Sequence, residues 1–178
     1  MSIEAGDRPV ALVTGSTSGI GEAVARRLAA DGTRVVVHSR RSAETGRALA
    51  AELGGAYVQA DLGVEEEARG LVERALDHFG RLDVLVNNAG ISRPIPHADL
   101  AAATPADWRQ LLEVNLIAPW VLCTAALPAL RRSPGGGSIV NITSHAGVRP
   151  KGSSVPYAAS KAAPVSYTHL TLPTNREV

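Results

Sequence analysis

Cysteine, lysine and aromatic side chains are nearly missing from this chain. Of 178 residues one is Cys and one is Phe, and aromatics make up 3%. A lone Cys123 in an apolar run excludes a disulfide framework and a cysteine metal cluster, and it fits a reducing cytoplasm. Among the 18 Lys and Arg residues only Lys151 and Lys161 are lysine, a bias of GC-rich bacterial genomes. The net charge of +1 is spread as mixed signs, so the basic stripe of a nucleic-acid binder is missing too. Residues 1–8 hold Glu4 and Asp7 and no basic stretch ahead of an apolar core, so no secretory signal is read there and a cytoplasmic location is expected. The longest uncharged run, 114–130, is short of a typical membrane span and contains Pro119 and Pro128. It reads as a buried helix. His38 and His78 lack ligand spacing, and no metal site is expected.

What is present is an alternation. Short apolar runs at 9–14, 34–38, 56–60, 82–87 and 138–143 read as strands, and helical spacing of apolar residues fills 20–30, 43–53, 65–79 and 105–131. Strands this apolar are buried on both faces, which requires parallel pairing with helical crossovers over the sheet. The predicted class is a doubly wound α/β fold, a parallel sheet of Rossmann type in one domain.

The stretch TGSTSGIG, residues 14–21, ends the first strand and opens the first helix. There Gly15 permits a tight turn, Gly19 lets backbone approach a pyrophosphate, and Gly21 lets the helix pack close to the sheet. Free N–H groups and the positive helix end then face the phosphates. Further on, YAASK places Tyr157 and Lys161 one turn apart on one helix face. A phenol is a poor base near neutrality, and an ammonium beside it favours the ionised form needed for acid–base work. Ser144 precedes Tyr157 at the end of the fifth strand, within reach of the same site.

The spacing G-x-x-x-G-x-G, followed by NNAG at 87–90, Asn115, Ser144 and Y-x-x-x-K, resembles the short-chain dehydrogenase/reductase family over residues 9 to about 163. The resemblance implies a nicotinamide cofactor held by Gly15, Thr17, Ser18, Gly19, Ile20 and Gly21 of the turn. It implies further contacts from Asp61 and Leu62 to the adenine, and from Asn88, Ala89 and Gly90 at the sheet's carboxyl edge. Tyr157 becomes the general acid/base, Lys161 the cation that also binds the nicotinamide ribose, Ser144 the substrate orienter and Asn115 a relay residue. Where an acidic residue would select NAD, VVVHSRR has Ser39, then Arg40 and Arg41. A guanidinium binds a 2′-phosphate, so NADP(H) is favoured over NAD(H). The expected reaction is hydride transfer with a small-molecule carbonyl or secondary alcohol, of the 3-oxoacyl reductase or the sugar/alcohol dehydrogenase kind.

Family members continue past the Tyr157 helix, so residues 1–164 are expected to be a dinucleotide-binding domain incomplete on its C-terminal side. The alternative is a dinucleotide-binding fragment that is catalytically incomplete. Full-length relatives form dimers or tetramers, and a homo-oligomer is expected of the full-length form. Pro164 interrupts the helix, and residues 165–178 resemble translated sequencing-adapter sequence, a non-native or disordered tail. Trp108, Trp120 and Cys123 are expected to pack the long helix.

Overall fold

A computed structural model describes residues 8–149 and 154–164; the tail reading for 165–178, and Lys151, lie outside the described residues. Five strands, β1 (Val10–Val13), β2 (Arg34–Ser39), β3 (Ala56–Gln59), β4 (Val84–Asn87) and β5 (Ser138–Asn141), form one sheet in the order β3-β2-β1-β4-β5. Every pairing is parallel, with Val13 in register with Val37 on one side and Val86 on the other. All four residues of β1 are buried, as a central strand covered on both faces must be.

The covering helices are α1 (Gly19–Ala30), α2 (Ala43–Glu52), α3 (Glu65–Phe79), α4 (Pro105–Leu112), α5 (Ala118–Arg131) and α6 (Val155–Ala162). Val13, Val35, Val37 and Val86 pack with Ala25 and Leu49 on one face of the sheet. Val10, Leu12, Val36 and Leu85 pack with Leu71, Leu122 and Leu130 on the other. The run Pro105–Arg131 is apolar and long enough to cross a membrane, yet α5 sits against α3 and the sheet as a core helix. Between α4 and α5 the helix widens into one π turn, Glu113–Ile117, where a single uninterrupted helix was expected. Periodicity cannot reveal such a turn, because one extra residue per turn leaves the apolar spacing on either side intact. Cys123 is buried as expected, but Trp120 is 44% exposed, so it does not pack the core.

The segment between β4 and α4 is tied down at its far end. Thr104 and Asp107 form a reciprocal cap with Pro105 in the first turn, and Arg93 pairs with the buried Asp107 carboxylate at 2.6 Å. On the opposite edge of the sheet, Asp83 accepts from the Val10 N–H at 2.8 Å, from both forks of Arg81, and from Ser133 Oγ at 2.6 Å. Burial raises the Asp83 carboxyl, but the bonds from Arg81, Ser133 and Val10 outweigh it and hold it below its usual value. Its folded pKa is therefore depressed, so the stability it contributes is present above the ordinary carboxylate range and lost as pH falls through the folded value.

Replacing Asp83 with Ala leaves the fully buried Val10 N–H without its acceptor. We expect a loss of about 2–4 kcal/mol in urea unfolding at pH 7, shrinking as the pH falls below the ordinary carboxylate range; a loss below about 0.5 kcal/mol at pH 7 would show that the cluster is not structural.

Candidate active site

Strand order places the topological switch between β1 and β4, where the chain leaves one side of the sheet for the other. A cleft of about 500 Å³ opens there, at the carboxyl edge. Gly15, Thr17, Ser18, Ser39, Arg40, Asp61, Leu62, Asn88, Ala89 and Gly90 line it together, and so do Arg41 and four residues not foreseen as site residues: His38, Ser42, Ile91 and Val114.

The glycine turn has the geometry its residues dictate. Gly15 and Gly19 take φ values of 62° and 56°, which side chains rarely adopt. A Cβ on Gly21 would lie 2.4 Å from the Gly15 carbonyl oxygen and from Asn88 Nδ2, so only glycine lets α1 start this close to the turn. Gly19 faces open space, where a ligand would lie.

Three side chains from outside residues 15–21 hold the turn. Thr14 Oγ1 accepts from the N–H groups of Asn88 and Ala89, both at 3.0 Å. Asn88 Nδ2 donates to the carbonyls of Thr14 (2.9 Å) and Gly15 (3.1 Å), so its amide is committed to the turn. His38, 2% exposed, accepts from the Gly15 N–H at Nδ1 (3.0 Å). With Nδ1 an acceptor, the neutral ring carries its proton on Nε2, which donates to the Ala60 carbonyl at 3.1 Å. Burial outweighs that last bond and lowers the imidazole to about 4. Asn87 donates to Asn141 Oδ1 at 2.9 Å, tying β4 to β5.

At the end of β2 the Ser39 hydroxyl is buried and shares a hydrogen bond of 2.9 Å with Tyr57. Arg40 lies 3.9 Å from Asp61, both about 40% exposed, a solvated pair that leaves the guanidinium available. Ser42 precedes α2 and makes no side-chain cap.

Asn115, Ser144, Tyr157 and Lys161 do not line this cleft, nor do Gly19, Ile20 and Gly21, and of these seven Asn115 and Lys161 approach it at Gly90. In the π turn, Asn115 is buried and faces Ile91, accepting from its N–H at 2.8 Å and donating to its carbonyl at 2.9 Å. Its amide also donates to Ser160 Oγ on α6 at 2.9 Å. Lys161 is 7% exposed and donates to the Ile142 carbonyl at 3.1 Å; no salt bridge to it exists among the described residues, and burial lowers its pKa. A Cβ on Gly90 would lie 3.1 Å from both Asn115 Oδ1 and Lys161 Nζ, so the gap at Gly90 is where the cleft reaches these groups. Ser144 Oγ caps a 3₁₀ turn, His145–Gly147, by accepting from the Ala146 N–H. Gly147 of that turn packs on the Lys161 carbonyl, which sets Ser144 beside α6. Tyr157 is half-buried in the first turn of α6, whose start is capped by Ser154. Of the residues missed, Thr14 carried a signal, being the polar side chain that directly follows the apolar strand β1, whereas His38 is followed by a second polar residue, Ser39, at the end of β2 and stood out only once the strand order was known. Tyr57 carried none.

A parallel sheet with a glycine turn opening on a cleft at its carboxyl edge defines a doubly wound nucleotide-binding protein. Comparison with known proteins narrows this. The sequence model of the family described as short chain dehydrogenase matches residues 9–173. A Streptomyces violaceoruber protein named "Granaticin polyketide synthase putative ketoacyl reductase 2" is 58% identical over 96% of this chain and 68% of its own length. The L-fucose dehydrogenase of Oryctolagus cuniculus is 41% identical over 89% of this chain and 55% of its own. A Burkholderia cenocepacia short chain dehydrogenase, solved in complex with NADP, superposes with a TM-score of 0.81 at 41% identity, over 90% of this chain and 65% of that one. The chain belongs to the short-chain dehydrogenase/reductase family, and it spans between about half and two thirds of the length of these relatives.

The depressed His38 value has a measurable consequence. An unfolded imidazole titrates near 6.5 and this one near 4. Stability is thus complete above about pH 6.5 and falls as pH drops toward 4, by ~3 kcal/mol in total. Urea unfolding at pH 7, 5.5 and 4.5 is expected to show this decline, and His38→Gln, which cannot charge, is expected to remove that part of it. An unchanged slope in the variant would contradict the assignment.

Proposed function

We propose that this chain carries the cofactor-binding and proton-transfer parts of an NADP(H)-dependent oxidoreductase acting on a ketone or secondary alcohol. One observation carries the reading: Lys161, buried and without a carboxylate partner among the described residues, stands behind Gly90 at the cleft and one helical turn from Tyr157. A buried ammonium lacking a counter-ion is costly unless it serves a charge that develops beside it.

The residues present fit a nicotinamide dinucleotide. Open space before Gly19 suits a pyrophosphate, the exposed Gly90 gives a side-chain-free floor, and Asp61 and Leu62 stand at the adenine end. Ser39, Arg40, Arg41 and Ser42 line the cleft without an acidic residue among them, a donor set for a 2′-phosphate, and the NADP complex of the Burkholderia cenocepacia relative supports the same choice.

The cofactor, when bound, supplies or takes up the hydride. Tyr157 Oη donates a proton to the carbonyl oxygen of a ketone, or takes one from an alcohol. Lys161 stabilises the phenolate charge carried by Tyr157 Oη after it gives up its proton and before it takes one from an alcohol. Ser144 Oγ orients the substrate oxygen, and Asn115, which fixes α6 through Ser160, is assigned the relay between Lys161 and water. The 58% identical ketoacyl reductase favours a 3-oxoacyl-type ketone as substrate, ahead of a sugar. A second reading, a dinucleotide-binding fragment without turnover, is favoured by the share of its relatives that the chain spans.

We expect NADPH to bind at least about tenfold more tightly than NADH, and Arg40→Glu to reverse that order. Tyr157→Phe is expected to keep NADPH affinity while lowering kcat with a 3-oxoacyl thioester by about a hundredfold or more. NADPH binding with no turnover by the unaltered chain would decide for the second reading; full turnover by the Phe variant would exclude Tyr157 as the acid/base.

A further inference from the structure

We propose that His38 is a positioning residue that sets the spacing between the phosphate and adenine ends of the cofactor cleft. This inference rests on the function proposed above. In a sheet ordered β3-β2-β1, the turn after β1 and the end of β3 lie on opposite sides of β2, about 9.5 Å apart by strand spacing. They cannot bond directly, and a side chain at the carboxyl end of β2 is placed to reach both. His38 does so with one rigid ring, accepting from the Gly15 N–H on one edge and donating to the Ala60 carbonyl on the other. Its backbone adds two bonds to the same turn, donating to Ser16 Oγ at 2.9 Å and accepting from the Ser16 N–H at 3.0 Å.

Gly15 opens the phosphate turn, and Ala60 immediately precedes Asp61 and Leu62. The imidazole therefore links the two sub-sites that one dinucleotide must span. Because the Gly15 N–H is taken by His38, the N–H groups left for a phosphate are those nearer Gly19 and the start of α1. No amide side chain matches both nitrogens of the ring, because its oxygen and nitrogen share one carbon. Gln places its nitrogen where Nε2 lies and keeps only the bond to Ala60, Asn places its oxygen where Nδ1 lies and keeps only the bond from Gly15, and Leu fills space and bonds to neither.

The test compares two ligands on the full chain by calorimetry at pH 7.5. NADPH spans both sub-sites; adenosine 2′-monophosphate touches only the adenine end. His38→Leu is expected to weaken NADPH about tenfold while leaving adenosine 2′-monophosphate within about twofold, and His38→Gln and His38→Asn, each keeping one end of the bridge, to fall between Leu and the unaltered chain for NADPH. Equal weakening of both ligands, or of neither, would overturn the inference and leave the proposed function standing. Absence of NADPH binding by the unaltered chain would overturn both. Should the Leu variant not fold, ¹⁵N spectra of the unaltered imidazole decide: an unprotonated Nδ1 and a protonated Nε2 at pH 7.5 support the bridge, and the opposite tautomer overturns it.

Discussion

The Thr14 hydroxyl and the Asn88 amide clasp the glycine turn between them, and the cofactor cleft depends on that clasp. The start of the turn is buried, with Thr14 and Ser16 at 1% and 0% exposure, so its backbone groups must find protein partners where water does not reach. Each unsatisfied group would cost ~1–3 kcal/mol. Thr14 accepts two N–H groups from the strand opposite, and Asn88 returns two donors to the carbonyls of Thr14 and Gly15. The turn is thereby fastened to β4 at the switch point, which holds the cleft open between them.

A second polar chain runs through the other half of the molecule. Ile91, just past NNAG, bonds to Asn115 in the π turn; Asn115 bonds to Ser160; the neighbouring Lys161 bonds to Ile142 after β5. The extra residue of the π turn lets Asn115 reach the Ile91 backbone from a helix whose buried apolar residues, Leu122 and Leu130 among them, serve the core. Long-range bonds of this kind let a four-residue spacing in α6 meet a strand end many residues away.

The fold was legible in the sequence because its signals are local. The buried strands announce themselves as unbroken apolar runs, and the glycine turn is fixed by φ values that only certain residues tolerate. Parallel pairing followed from the helical segments between the strands. The π turn was not legible, since it arises from the tertiary pairing of Asn115 with Ile91. Nor was the solvent exposure of Trp120, because a helix's apolar composition does not say which side meets the sheet. In the cleft, glycine and asparagine positions could be read from their backbone demands. His38 could not, because its significance lies in joining two segments that flank its own strand, a relation that exists only once the strand order is known.

The proposed function puts an NADP(H)-type ligand in the cleft at the β1–β4 switch, with its extra phosphate at the start of α2. Backbone amide shifts of the full chain, followed by ¹⁵N NMR on addition of NADPH and then of NADH, test it most directly. The account predicts that both ligands move the amides of residues 15–21, 61–62 and 88–90, and that NADPH alone moves those of residues 40–43. Shifts elsewhere on the molecule, or equal effects of both ligands at residues 40–43, would contradict it.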